Sequence, residues 1–519
     1  MAAVTAANGK SSGGAKSADF TAVEIGEALS PTASLFHSPK LNCCIIAVLG
    51  SKTAIDPAVV KSGLERTLIR HPRFSSRLVV DDHGCRGRKL RWEKTMVELD
   101  DHIIIPNLDD DDGDGEIFTT SPDSAVEDYI SRLSTFPMDV TKPLWELHIL
   151  NVKTRDAESL FVFKIHHSIG DGASLISLLL ACARKSSDPN ALPSVPVKNR
   201  RARRQGVVSA SGFCWSLVWL IWAVVRLVWN TLVDVLLVNA TVLFLRDTRT
   251  PIKGPATGEG RNGKRFVHRT VSLGDIKMVK NAMNMTINDV LLGVTEAGIS
   301  RYLNRKYGED QQHRGTESQK LDIPRNIRLR ASVLVNLRPT TGIQDLADLM
   351  AKGPKEKWGW GNWIGYLMLP LTISSQDDPL EHVRRGKSII DRKKLSLEPV
   401  FTCLGARVVI QTLGVKVASW IANRVLFNTT LAFSNMAGPV EEISFYGHPL
   451  SYLAPTVYGH PHALTIHFQS YCNTITISLA VDPGLIPDPH VLCDDLEDSL
   501  KAIKEAVVQK FVQKDPGIV

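Results

Sequence analysis

No C-x-x-C pair occurs in this sequence, and its eight cysteines (43, 44, 85, 182, 214, 403, 472 and 493) show no metal-ligand spacing. A disulfide scaffold and a zinc module are both excluded, and the cysteines read as reduced thiols in a cytosolic setting. Charge of one sign is lacking as well. Against 61 Lys and Arg stand 54 Asp and Glu, a net charge of +7. That mild basic bias suits anionic lipid or a phosphorylated cofactor, and no nucleic-acid motif accompanies it, so nucleic acid is not an expected partner. Residues 1–19 are mainly Ala, Gly, Ser and Lys, without the apolar core of a signal peptide, and read as a disordered leader. No G-x-S-x-G follows an apolar strand, so a serine-hydrolase reading has no nucleophile elbow.

What is present begins with size. A chain of 519 residues, 44% of them apolar, can bury a large core and predicts two domains. The stretch that organises it is Lys164-Ile165-His166-His167-Ser168-Ile169-Gly170-Asp171-Gly172. An apolar run from Leu160 to Ile165 predicts a buried strand before it, and the Leu- and Ala-rich run Ala173 to Ala183 predicts a buried helix after it. The two histidines therefore sit on a strand-to-helix loop, where a rigid scaffold presents reactive groups. An imidazole titrates near neutrality, so a neutral histidine can take a proton from a hydroxyl. The Asp can hold the loop by an ion pair, and Gly172 permits a backbone turn that a side chain would block.

Cys43 to Leu49 predicts a central strand, and Asp56-Pro57 starts a helix ending near His71-Pro72. Leu78 to Val80 and Lys89 to Trp92 read as strands. Pro143-Leu144-Trp145 precedes a strand, Leu147 to Asn151, expected to pair with the one entering the histidines. Asp109 to Glu116 tempts a calcium reading, with Asp110, Asp112 and Asp114 at ligand positions. The closing position is Ser121 instead of Glu, so a solvated acidic loop is the better reading. Residues 258–265 nearly spell a phosphate loop, but Arg265 stands where Ser or Thr is required, and a linker results.

Between these halves the composition shifts. A basic cluster, Lys198 to Arg204, leads into an apolar segment, Phe213 to Leu245, broken by Arg226, Asn230, Asp234 and Asn239. Basic residues beside an apolar run predict contact with anionic headgroups through residues 198–245. Trp215, Trp219, Trp222 and Trp229 fall on one helical face, with Arg226 among them. A spanning helix would scatter them through every depth and bury the arginine in hydrocarbon, so an in-plane helix or shallow hairpin is expected.

In the second half, Thr286-Ile287-Asn288-Asp289 opens a helix, either as a capping box or with Asn288 and Asp289 at a substrate channel. Ser332 to Leu337 reads as a strand ending in Arg338-Pro339. Gly361 and Gly365 permit close backbone approach, and both are substrate-channel candidates. Arg384 to Lys394 reads as a basic helical surface, and Ser434 to Pro439 as a turn after a strand. Leu464 to Gln469 and Thr474 to Val481 read as a hairpin, followed by a C-terminal helix from about His490. His460, His462 and His467 form no persuasive metal set and are assigned packing and surface roles; no metal site is expected.

The H-H-x-x-x-D-G pattern resembles the acyltransferases similar to chloramphenicol acetyltransferase. Pro143-Leu144-Trp145, Asn288-Asp289, Asn336-Leu337-Arg338-Pro339, Gly361-x-x-x-Gly365 and Ser434 to Pro439 run in one order with it. Together they resemble the plant wax ester synthase/diacylglycerol acyltransferase family. Plant acyltransferases of secondary metabolism usually carry one histidine and a D-F-G-W-G stretch, of which Lys357 to Gly361 keeps only G-W-G. Peptide-synthetase condensation domains normally sit beside carrier domains, for which this chain has no room.

The resemblance implies an α/β fold of two chloramphenicol acetyltransferase-like domains, each a mixed sheet with flanking helices, with the active-site channel between them. The expected division is 20–190, a linker with the membrane segment at 191–265, and 266–510. It implies transfer of a long-chain acyl group from acyl-CoA, as co-substrate, to a fatty alcohol or to diacylglycerol, with no bound cofactor and no covalent acyl-enzyme. His167 would be the general base, His166 its neighbour in the motif, and Asp171 with Gly172 the brace of the loop. Related acyltransferases pair that Asp with an arginine at a strand end, here Arg338, with Arg70 as the fallback. A membrane location on the cytosolic face, at the endoplasmic reticulum, is expected; a different acceptor, or an inactive lipid-binding protein, is the rival reading.

Overall fold

The structure, a computed structural model, describes residues 27–81, 89–107, 121–196, 210–254, 263–313, 327–337, 343–352, 360, 362–374, 376 and 378–512. Two mixed sheets carry it. The first has seven strands in the order Ile103–Ile104, Trp145–Leu150, Ser159–His166, Cys44–Ser51, His448–Tyr458, Ile443–Phe445, Arg184–Lys185. The second has six, ordered Ile364–Leu371, Leu329–Asn336, Leu431–Met436, Leu464–Tyr471, Thr474–Val481, Arg265–Ser272.

The apolar run predicted to enter the histidines is a strand with every residue buried, Ser159–His166. Unbroken apolar composition suits a strand covered on both faces. It lies between Trp145–Leu150 and Cys44–Ser51, antiparallel to both, with Cys44 opposite His166. The expected pairing with the strand after Pro143-Leu144-Trp145 is therefore present. Trp145 is fully buried, donates from Nε1 to the Phe74 carbonyl at 3.0 Å and stacks on His102, so this motif fills core.

The strand His448–Tyr458 comes from the second half of the chain, yet it pairs along the length of Cys44–Ser51. The first sheet thus draws strands from both halves of the chain, and main-chain hydrogen bonds tie those halves together within it. The hairpin Leu464–Tyr471 with Thr474–Val481 is antiparallel in the predicted register region, and helix Pro489–Val507 follows it.

Two elements differ from the sequence expectation. Strand Leu431–Met436 continues through Ser434 and Asn435, so the expected turn starts only after Met436. Parallel pairing with Leu464–Tyr471 holds those two residues in the sheet, Ser434 opposite His467. The second is helix Glu398–Asn428, which the sequence reading passed over. Its apolar residues are spread round the axis, giving no stripe to read, and Gly414 at φ +85° interrupts the helical backbone.

The long apolar segment is one helix, Ala210–Leu243. From Trp215 to Trp229 almost every described side chain is exposed, whereas Thr231, Asp234 and Thr241 are buried. The buried end is attached to the body. Asp234 pairs with Arg392 at 2.7 Å and Lys393 at 3.1 Å, and Thr231 Oγ1 accepts from the Leu397 N–H at 3.0 Å. Among the described residues, Leu217–Leu243 and Glu398–Asn428 are both long and apolar enough to cross a membrane. The leader, the acidic loop, the basic cluster Lys198 to Arg204 and most of the phosphate-loop-like stretch lie outside the described residues.

Candidate active site

The loop after Ser159–His166 is pinned by its first histidine. His166 Nδ1 accepts from the Ser168 N–H at 3.2 Å and lies 2.7 Å from Ser168 Oγ, and Nε2 lies 3.0 Å from Asn42 Oδ1. With both nitrogens engaged and its ring stacked on His37 at 4.2 Å, His166 holds the loop. Burial, then the neighbouring His37 and His167, push its ring down to about 2. It stays neutral, and it lies outside the cavity wall.

His167 is placed differently. Its backbone N–H donates to the Cys43 carbonyl at 2.9 Å, and its carbonyl accepts from Asn362 Nδ2 at 2.9 Å. These bonds fix the backbone and leave the ring to chemistry. The ring lines the cavity beside Phe36, with centroids 4.5 Å apart. Its Nδ1 is buried and makes no hydrogen bond of ordinary geometry among the described residues. Burial lowers its pKa; its own backbone carbonyl, Asp171 and Asn362 oppose that shift without reversing it. The imidazole is therefore neutral at pH 7, the form that can accept a proton.

Asp171 is buried at the start of helix Gly172–Cys182, where its Oδ1 accepts from the Ser174 N–H at 2.9 Å and Ser174 Oγ at 2.7 Å. It is an N-cap, which fixes where the loop ends and the helix begins. The proposed partner Arg338 lies outside the described residues, as does Gly361. The fallback Arg70 directs its guanidinium to the Met350 carbonyl at 3.4 Å. Gly172 does not occupy a left-handed conformation. A Cβ there would meet Met436 Sδ at 2.8 Å, so the glycine lets that flexible side chain lie close against the loop.

The cavity between the sheets has a volume of about 350 Å³. Its first-sheet side is mostly apolar, formed by Ile45, Ala47, Leu49, Phe163 and Ile165 with Leu178 of the following helix, and Thr456 is the polar residue among them. Its second-sheet side carries Ser434, Asn435, Thr465, His467 and Gln469, with His460 nearby. His167 and Asp171 lie where the two meet. Among the described residues no group of three or more His, Cys, Asp or Glu side chains could hold a metal ion.

Of the channel candidates, Asp289 is a capping-box residue. Its Oδ2 accepts from the Thr286 N–H at 2.7 Å, and its own N–H donates to Thr286 Oγ1 at 3.3 Å. Asn288 Oδ1 accepts from Asn435 Nδ2 at 2.5 Å, so it braces a cavity residue without lining the cavity. Gly365 lets its strand approach helix Glu398–Asn428; a Cβ there would sit 2.2 Å from the Pro399 carbonyl oxygen. His462 is a packing residue, with Nε2 at 2.9 Å from Thr429 Oγ1. The assignment of His460 and His467 to packing and surface is corrected here, since both line the cavity. The available signal was alternation: Thr465, His467 and Gln469 fall on one face of their strand, Ile466 and Phe468 on the other.

A family model for the Wax ester synthase/diacylglycerol acyltransferase catalytic domain matches residues 58–291, and one for the WS/DGAT C-terminal domain matches 360–504. Wax ester synthase/diacylglycerol acyltransferase 5 of Arabidopsis thaliana is 54% identical over 93% of this chain and 94% of its own. Among solved structures, the wax ester synthase/diacylglycerol acyltransferase from Marinobacter aquaeolei VT8 has a TM-score of 0.54 at 16% identity, covering 93% of this chain and 99% of that one. A starter condensation domain of rhizomide synthetase, in complex with C8-CoA, has a TM-score of 0.51 at 11% identity, covering 94% of this chain and 96% of that one. At such identities these two speak for a shared fold.

Proposed function

From the premise that this chain belongs to the wax ester synthase/diacylglycerol acyltransferase family, and is an acyltransferase, we propose that His167 is the general base of its transfer reaction. The donor is a long-chain acyl-CoA, and the acceptor a fatty alcohol or diacylglycerol. Neutral His167 takes the hydroxyl proton as the acceptor oxygen attacks the thioester carbonyl. When the tetrahedral intermediate collapses, the C–S bond breaks and the imidazolium returns the proton to the CoA sulfur. No acyl group rests on the protein. The observation that carries this reading is the contrast within the pair: His166 has both nitrogens engaged and lies off the cavity, while His167 lines it.

General base help supplies about 10²–10⁴-fold, and holding the two substrates together in one cavity contributes further. Purified protein incubated with labelled hexadecanoyl-CoA tests the reading, using hexadecanol or diacylglycerol as acceptor. Labelled wax ester or triacylglycerol supports it; binding of both substrates without product would support an inactive lipid-binding protein instead.

We further infer that the substrates arrive from a membrane surface. The exposed apolar half of Ala210–Leu243 is joined by Phe401, Leu404, Val408 and Trp420 of helix Glu398–Asn428, all exposed. The first helix is held to the body at Asp234, and the basic cluster precedes its other end. A crossing would bury Arg226, at the middle of this helix, in hydrocarbon at about 2.5 kcal/mol or more. An in-plane position at the cytosolic face, at the endoplasmic reticulum, avoids that cost. Protease protection on sealed microsomes checks the topology. Residues before 198 and after 265 should be equally accessible from the cytosolic side; protection of one alone would mean a single crossing.

A further inference from the structure

Strand Leu464–Tyr471 brings three polar side chains, Thr465, His467 and Gln469, onto the cavity face. Alternate residues of a strand are about 6.6–6.8 Å apart, so the row extends roughly 13 Å. It begins near the base: Thr465 Oγ1 lies 3.1 Å from His460 Nε2, and His460 and His167 line the same cavity.

Two members of the row carry polar atoms with no hydrogen-bond partner among the described residues. Gln469 is completely buried; its Nε2 donates to the Ser470 carbonyl at 3.1 Å, while Oε1 accepts nothing among the described residues. His467 is 4% exposed, and neither ring nitrogen has a hydrogen-bond partner among the described residues. Burial pushes its pKa down to about 4, so at neutral pH the ring offers one donor and one acceptor. Room for the Gln469 amide depends on Gly438, where a Cβ would come within 2.6 Å of Nε2.

Buried polar groups left unmatched are costly, which turns attention to what a substrate could supply. An acyl chain supplies nothing polar. A fatty alcohol has one hydroxyl, which goes to His167. The ester carbonyls of diacylglycerol only accept, so they cannot satisfy the Gln469 oxygen. A secondary amide has both an N–H and a carbonyl, and the pantetheine arm of acyl-CoA carries two such amides in line behind its thioester. Resting on the donor assigned above, we propose that His467 and Gln469 form an amide-recognising subsite, which lays the pantetheine arm along this strand and sets the thioester at His167. Both are positioning residues, acting through the donor's arm.

The test uses thioesters of one acyl chain with an acceptor held constant: hexadecanoyl-CoA, the N-acetylcysteamine thioester with one amide, and an S-butyl thioester with none. The ratio of kcat/KM for the amide-bearing donors to that for the amide-free donor is compared between the wild type and Gln469→Leu or Gln469→Met. Comparing ratios cancels the intrinsic reactivity of each thiol. One lost hydrogen bond of about 1.4 kcal/mol corresponds to a tenfold fall in the ratio, and His467→Phe should act in the same direction. A second measurement needs no variant. On the unmodified protein, the unreactive S-hexadecyl thioether of N-acetylcysteamine should inhibit about tenfold more tightly than the S-butyl thioether of the same chain. An unchanged ratio, equal inhibition, or a loss confined to the diacylglycerol reaction would overturn the subsite. Failure of hexadecanoyl-CoA to react at all would instead count against the donor assignment.

Discussion

The two walls of the cavity are made by different strand types. On the first-sheet side, Ile45, Ala47 and Leu49 come from a strand apolar on both faces, and its partner contributes Phe163 and Ile165. On the second-sheet side, Leu464–Tyr471 alternates, and its polar face points into the cavity. The contrast separates two tasks. An apolar wall can hold a chain by burial, at about 0.8 kcal/mol per CH₂, without fixing its register. Directional hydrogen bonds from the polar wall can fix it, and His167 lies where the walls meet.

The largest expected effect comes from removing that junction. His167→Ala should lower turnover by about 10²–10⁴-fold while folding normally, and His166→Ala should lower it less, through the loop geometry. Steady-state rates with hexadecanoyl-CoA and hexadecanol decide this, and near-normal turnover by the His167 variant would refute the base assignment. Next comes the apolar wall alone. Ala47→Phe should shorten the space for a chain by two or three CH₂ groups, so hexadecanoyl transfer should fall about tenfold or more relative to octanoyl transfer. An equal loss for both chain lengths would place the acyl group elsewhere.

Acid should act through buried histidines, four of which lie on the polar side and its loop, while others such as His268 and His382 lie elsewhere. Burial depresses His37, His166, His460 and His467 to about 4, 2, 3 and 4, against 6.5 for an ordinary histidine. Above pH 6.5 these rings are neutral in both folded and unfolded chains and contribute nothing to pH dependence. Below it the unfolded chain binds protons that the folded one refuses, so stability falls as pH drops towards 4. Each such histidine contributes a slope of about 1.4 kcal/mol per pH unit. Urea midpoints should therefore fall from pH 7 to pH 5.5; constant midpoints would mean that the rings protonate in place. The smallest effect comes from a residue that does not line the cavity. Thr286→Ala removes one half of the capping box and should cost about 1 kcal/mol of stability with kinetics unchanged. Altered kinetics would give this helix end the channel role considered for Asn288 and Asp289.

Legibility in the sequence followed the same divide. The first wall and its loop were readable because unbroken apolar runs and H-H-x-x-x-D-G are local signals, and strand Ser159–His166 with helix Gly172–Cys182 fell where they pointed. The second wall was misread because an alternating strand predicts a face turned to water. Here that face turns to a cavity closed by strands from both halves of the chain, a fact that no local pattern carries. Asn288 shows the same limit, since its contact with Asn435 spans 147 residues. Helix Glu398–Asn428 escaped for another reason: its apolar residues are spread round the axis and Gly414 interrupts the helical backbone, so no stripe marks it in the sequence.

The pH dependence of kcat/KM tests the central claim, that a neutral, buried His167 accepts the acceptor's proton. The base must be unprotonated, and burial lowers its pKa. Across the range where fluorescence shows the protein folded, the rate should stay level from pH 8 to below pH 6.5. It should then fall along a single acid limb, which is absent from the residual activity of His167→Ala. A limb centred at or above pH 6.5, or one that persists in that variant, would contradict the account.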